Sequence, residues 1–484
     1  MHRRVLLIFI SASLVATGCL DTATPGSDGS ISTVPNPAAK PTTTARPTTT
    51  TRPAPAQPAP SQRACLPEVT DGYDRPYAPT APWNVRVCNL AEDARSDDWR
   101  DRFWYYSQYN PQMASANPQA APNRGAHGVM FGFDEDPVND FSVAVYSAAD
   151  ATTTIRVFQR DGWHGLFNLD PGGAIPWNPA WRASTGSDAL MVILDPTTGH
   201  QWSLWGVAQS YYGLPINDSQ CWYWAAAFWL PGGGYRSGLD LCVGGADKVM
   251  TADRSARSNY RTYGGNNPVT RGVGIDEYAM LTMPEEVAAG QIRHALMMPV
   301  YNTMTGPTKC TSAQMATEAF GSTCGYAVSP AGNFERSGIS TQGCGEPTAE
   351  SMDPAAYRRT TIPEGTRYAL DMTESEIETW LDSRGYTGAL RSTARTFARA
   401  LVNYGWFITD TSCFAADFQV AGAANPQTAA AWRALGITGD GRDLLYGLIT
   451  RERVWTVAPP VNHCTNGTLS TAACPANTSL YATG

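Results

Sequence analysis

The sequence predicts a mainly β protein: a jelly-roll-like β-sandwich core followed by a smaller α/β C-terminal part. Apolar–polar alternation dominates the first half of the chain. Glycine and proline, 44 and 35 among 484 residues, punctuate those runs as the turns of a sandwich require. Capped, helix-periodic segments come only later.

In chain order, residues 141–146 and 153–158 alternate and predict strands. Residues 188–195 form a nearly continuous apolar run. Asp195-Pro196-Thr197-Thr198-Gly199 is turn chemistry, and residues 202–207 return, predicting a hairpin with a five-residue loop. Residues 221–230 are aromatic and apolar enough for a central strand. Pro284-Glu285-Glu286 opens a short helix to about Ile292, and residues 294–300 leave it as a strand. Thr373 and Glu376 form a capping box for a helix to about Ser383. Residues 390–404 predict a longer helix, stopped by a left-handed cap at Gly405 and followed by a strand from Trp406. Residues 425–435 predict one more helix.

The N-terminus reads as a targeting segment. His2, Arg3 and Arg4 precede the apolar stretch 5–15, which is shorter than the roughly 20 residues that a spanning helix needs. Small residues then lead to Cys19. Val15-Ala16-Thr17-Gly18-Cys19 resembles a bacterial lipobox, although Ala16 stands where Leu is usual. Residues 1–18 are therefore expected to be a signal peptide and Cys19 the lipidation site. Nine Pro and ten Thr fall among the 44 residues 20–63, so residues 19–63 form an acylated, semi-rigid tether. A β-sandwich domain over 64–350 and an α/β extension over 351–484 packed on it complete the expected organisation. The expected location is the outer face of the cell membrane.

Setting Cys19 aside, ten cysteines remain of eleven, an even number that suits oxidation in an exported protein. Sequence leaves the connectivity open. Pairing neighbours gives Cys65–Cys88, Cys221–Cys242, Cys310–Cys324 and Cys464–Cys474, with Cys344–Cys413 remaining. No Cys-x-x-Cys spacing suggests a metal, and the five scattered histidines after the leader give no ligand pattern, so no metal or cofactor is expected. The net charge of −8, without basic clusters, argues against a nucleic-acid partner.

Several stretches together look like one module of exported actinobacterial proteins: Ile175–Trp181, residues 188–195, Trp202 and Trp205, Pro284-Glu285-Glu286, Gly290-Gln291-Ile292-Arg293-His294-Ala295-Leu296, residues 363–371, and residues 400–405 closing on Asp410. The resemblance covers roughly residues 120–411. It implies export and a β-rich architecture, and the family brings no established reaction with it.

The zinc-protease, α/β-hydrolase and P-loop signatures are missing from the sequence. Carboxylates and aromatics remain, the chemistry of a polysaccharide enzyme. Glycosidic cleavage needs two carboxyl groups, and indole faces stack on sugar rings. The catalytic candidates are Asp188, Asp276, Glu277, Glu286 and His294, with Glu286 and His294 as a possible proton-transfer pair. Each has an ordinary structural reading beside it: a strand-start cap for Asp188, a solvated turn for Asp276 and Glu277, a corner-orienting core histidine for His294. Asp195, Asp371 and Asp410 read as turns or caps. Trp177, Trp181, Trp222, Trp224 and Trp229, with His164, are the candidate sugar contacts. The expected function is a tethered surface protein acting on polysaccharide as a glycoside hydrolase. The alternative is a non-catalytic module that binds glycan or cell wall.

Overall fold

The computed structural model describes residues 63–68, 81–104, 128–133, 141–159, 165–167, 169, 172–186, 188–195, 197–209, 241–250, 275–276, 278–300, 303–304, 308–317, 324–331, 334, 361–411, 416–439, 441 and 443–459. The chain divides into two compact units, residues 1–56 and 57–484, and every described residue belongs to the second. Among the described residues strand outweighs helix, and the strands form several sheets.

Helix α1 (Ser96–Arg102) comes first. The strands that follow are β1 (Gly128–Met130), β2 (Ala144–Ser147), β3 (Thr153–Gln159), β4 (Gly165–Phe167), β5 (Gly173–Trp177), β6 (Met191–Leu194), β7 (His200–Trp205), β8 (Ala208–Gln209), β9 (Leu241–Val243) and β10 (Gly245–Met250). They make a five-stranded sheet in the order β2-β6-β7-β10-β4 and a four-stranded sheet in the order β5-β3-β9-β8. The expected hairpin is present as β6 and β7, antiparallel across residues 195–199. Its turn is built as the residues dictate. Asp195 Oδ1 accepts the Thr197 and Thr198 N–H groups, and Gly199 supplies a φ of +77°. Between β9 and β10 the chain changes sheets at Gly244, where a Cβ would lie 2.2 Å from the Trp205 ring.

Period-two alternation explains which side chains are inside. Tyr146, Met191, Ile193, Trp202 and Leu204 share one core with Ile155, Val157, Ile175 and Trp177 of the four-stranded sheet. The opposite face of the same strands sends Val145, Val192, Leu194 and Trp205 into a second core. Burial on both faces is the reason residues 188–195 read as a continuous apolar run.

Later in the chain come α2 (Pro284–Ala288), β11 (Leu296–Val300), β12 (Thr308–Lys309), α3 (Ser312–Thr317), β13 (Cys324–Gly325) and β14 (Arg367–Leu370), then α4 (Glu374–Ser383), α5 (Gly388–Asn403), β15 (Trp406–Thr411), β16 (Asp417–Gln419), α6 (Pro426–Ala434) and β17 (Val454–Val457). A second four-stranded sheet runs β11-β15-β14-β17. Met297 and Phe407 point from it into the second core. Leu296, Met298, Trp406 and Ile408 point the other way, against Ile377 and Leu381 of α4 and Phe397 and Leu401 of α5. Because β11 pairs with β15, residues on both sides of position 350 share one sheet.

The expected helix over 284–292 is shorter than its sequence suggested. It ends at Ala288, and Gly290 takes a φ of +82°, which turns the chain toward β11. The capping box is formed: the Thr373 N–H donates to Glu376 Oε2 at 2.7 Å, and Thr373 Oγ1 accepts the Glu376 N–H at 3.3 Å. Gly405 stops α5 at φ +66°, and a Cβ there would lie 2.0 Å from the Tyr368 carbonyl. The expected strand over 221–230 lies outside the described residues.

The N-terminal segment is tied to this body and to itself. Arg367 on β14 is buried and donates to the carbonyls of Pro82, Val85 and Tyr404. The disulfide Cys65–Cys88, with its Cα atoms 5.3 Å apart, joins the first described segment to the stretch before α1. A second disulfide, Cys310–Cys324, binds the end of β12 to β13.

Candidate functional site

Glu286 and His294 do come together, in the interior. They are 2% and 1% exposed. The third residue of α2 is Glu286, and its Oε1 accepts the Met283 N–H at 2.6 Å, closing the helix start. His294 Nδ1 lies 2.8 Å from the Ala295 carbonyl, an atom that only accepts, so Nδ1 donates there. Nε2 then faces the Glu286 carboxyl, 3.2 Å from both oxygens. Helix start, corner and strand are joined by one hydrogen-bonded pair enclosed in the core.

Asp276 is 1% exposed. Gln201 Nε2 donates to Asp276 Oδ1 at 2.6 Å and to Ser203 Oγ at 2.5 Å. Gln201 and Ser203 lie on β7 one pleat apart, on the face opposite Trp202 and Leu204. The polar cluster therefore sits beneath the five-stranded sheet, where the sequence suggested a solvated turn.

Asp188 is partly buried, and its carbonyl accepts the Gly206 N–H at 2.7 Å, so its backbone closes the strand-start corner. Asp195 is the turn residue expected. The Thr198 hydroxyl, the largest influence, and the Thr197 and Thr198 N–H groups hold its carboxyl below the usual carboxylate range. Trp177 and Trp181 are 0% and 4% exposed. Trp181 stacks on Tyr146 at 4.8 Å and meets Trp177 edge-on at 5.8 Å, so both fill the first core instead of lining a groove. Asp371 pairs with Arg63, and Asp410 Oδ1 accepts the Thr411 N–H. Of the cysteines, Cys242 is disulfide-bonded, in addition to the two pairs above. Glu277, His164, Trp222, Trp224, Trp229, Cys19, Cys221, Cys344, Cys413, Cys464 and Cys474 lie outside the described residues.

A site that no motif announced lies elsewhere. A cleft of about 200 Å³ opens between α1, β17, the segment 326–329 and the start of β14, with Asp93, Trp99, Tyr326, Ser329, Gly365 and Thr366 on its walls. Burial, the largest influence, raises the Asp93 carboxyl above its ordinary range. The Arg95 N–H at 2.7 Å and the Trp99 indole N–H work against that rise. Guanidinium groups cover the Trp99 ring, Arg95 at 4.3 Å and Arg102 at 4.6 Å, so its edge is the part available to the cleft. Thr366 Oγ1 donates to the Pro363 carbonyl at 2.6 Å. Ser329 is 1% exposed, and its hydroxyl has no hydrogen-bond partner among the described residues. Asp93 and Ser329 are far apart in sequence and sit in no recognisable pattern, so nothing in the residue order could have joined them.

No family model, curated protein or solved structure matches the chain. Among the described residues no group of three His, Cys, Asp or Glu side chains is arranged to hold a metal ion, and no helix is long and apolar enough to cross a membrane.

Proposed function

We propose that this chain is a lipid-anchored surface protein of an actinobacterial type, acylated at Cys19, that binds polysaccharide or cell-wall glycan without cleaving it. The observation that carries the choice of binding over hydrolysis is the enclosure of Glu286, His294 and Asp276. Their polar atoms are taken up by the Met283 N–H, the Ala295 carbonyl and Gln201, and a hydrolase would need its carboxyls at a substrate. Two disulfides support an oxidising compartment. Two sheets sharing one core support the sandwich reading of residues 144–250.

The test uses the full chain, solubilised in detergent and mixed with insoluble actinobacterial wall polysaccharide. Retention on the glycan with no release of reducing ends is the expected result. Release of reducing ends by the wild-type chain would establish hydrolysis instead, and failure to be retained would remove the glycan reading altogether.

A further inference from the structure

A buried hydroxyl without a partner is costly in desolvation unless something takes up its hydrogen bond. Gln291 is also buried with its amide unpaired among the described residues, but the void beside it is about 10 Å³, at the lower limit for one water. Ser329 differs because it lines a cleft of about 200 Å³. A cavity of about 150 Å³ accepts benzene, so the space beside Ser329 suits a six-membered ring with substituents.

The charges on the walls select the ligand class. Arg367 spends its guanidinium on three carbonyls, and Arg95 pairs with Asp98 while lying over Trp99, so the cations there are committed within the protein. That disfavours an anion. The Trp99 ring is covered by guanidinium groups, which disfavours a quaternary ammonium ligand. An ionised carboxyl has about four acceptor positions. The protein uses two of those on Asp93, for the Arg95 N–H and the Trp99 indole, which leaves capacity for hydroxyl donors. Val328, Pro363 and Val457 give the remaining wall an apolar surface for C–H groups.

We propose that the cleft between Asp93 and Ser329 is a binding site for one neutral sugar ring, a terminal unit of a glycan, whose hydroxyl groups the Ser329 hydroxyl and the Asp93 carboxyl take up. The assignment rests on the glycan-binding reading above and gives it a place. The disulfide Cys310–Cys324 anchors the segment that carries Tyr326 and Ser329, so the same oxidising compartment that forms the bond shapes the site.

Calorimetric titration of the detergent-solubilised full chain with methyl α-glucopyranoside, methyl α-mannopyranoside and methyl β-galactopyranoside tests it. Tetramethylammonium chloride and inorganic phosphate serve as charged probes. At least one glycoside is expected to saturate, and neither charged probe to compete. Ser329→Ala should weaken that glycoside about tenfold, the loss of one hydrogen bond, with a melting temperature unchanged or higher. Ser329→Leu should abolish binding by filling the cleft. The site is overturned if no glycoside saturates, if a charged probe competes, or if Ser329→Ala binds as the wild type does. The two readings separate cleanly. Retention on wall glycan that is indifferent to Ser329→Ala sinks the cleft and spares the function. Glycoside binding in the cleft without retention on wall glycan does the reverse.

Discussion

The Glu286–His294 pair and the Asp93–Ser329 cleft both bury polar chemistry, and they handle it in opposite ways. In the first, every polar atom of the two side chains has a partner in the protein, and the result is a fixed corner between α2 and β11. In the second, a hydroxyl is left without a partner among the described residues beside open volume. Residue type does not separate scaffold from site here, because the pair holds the more reactive groups. Satisfaction of hydrogen bonds taken together with open volume does: among the described residues the Gln291 amide is unpaired beside only about 10 Å³, whereas the Ser329 hydroxyl is unpaired beside a cleft of about 200 Å³.

The sharpest way to break this contrast is to remove half of the closed pair. Glu286→Ala leaves a buried imidazole and an uncapped helix start, and is expected to lower stability in urea by about 3–5 kcal/mol. A loss below about 1 kcal/mol would mean that the pair is not a structural lock. Gly365→Ala comes next. Its φ of +86° and a Cβ that would lie 1.8 Å from the Val328 carbonyl predict a loss of about 2–3 kcal/mol. Because Val328 adjoins Ser329, glycoside affinity should fall with it.

Two acids sharpen the comparison through pH. The surface carboxyl of Glu378, paired with Arg395 and Arg391, is held down at about 2. Its stabilisation is present above the ordinary value near 4.5 and is lost as pH falls through about 2. Discounted for solvent screening, Glu378→Gln should lower stability at pH 7 by about 1 kcal/mol, and the difference should vanish near pH 2. Asp93 has the opposite sign. Burial raises its carboxyl, so the folded protein holds the proton longer than the unfolded chain, and stability drains away as pH climbs above 3.8. Asp93→Asn should remove that decline in a pH series of melting curves. A wild type that gains stability relative to the variant over that range would show a carboxylate favoured by its surroundings.

Local chemistry was legible in the residues. The Asp195–Gly199 turn, the Thr373–Glu376 box, the Gly405 stop and the pairs Cys65–Cys88 and Cys310–Cys324 depend on neighbours within a few turns or a short loop, and the structure contains each of them. Burial was harder to read. Trp177 and Trp181 carry the same rings whether they meet sugar or core, and only the sheet packed over them decides. Asp276 does open a turn, its carbonyl accepting the Ala279 N–H, but the turn is buried, with the Gln201 amide of β7 against its carboxyl. The cleft was invisible because its walls come from four separated segments, and the informative property of Ser329, a missing partner, exists only in the folded chain.

The most direct measurement is one titration series: the affinity of the full chain for its best methyl glycoside in Ser329→Ala and in Glu286→Gln, with melting temperatures recorded alongside. The expected result is about tenfold weaker binding at unchanged stability for Ser329→Ala, and undiminished binding at lower stability for Glu286→Gln. If Glu286→Gln abolishes binding while Ser329→Ala retains it, the buried pair is the working site and the cleft is not.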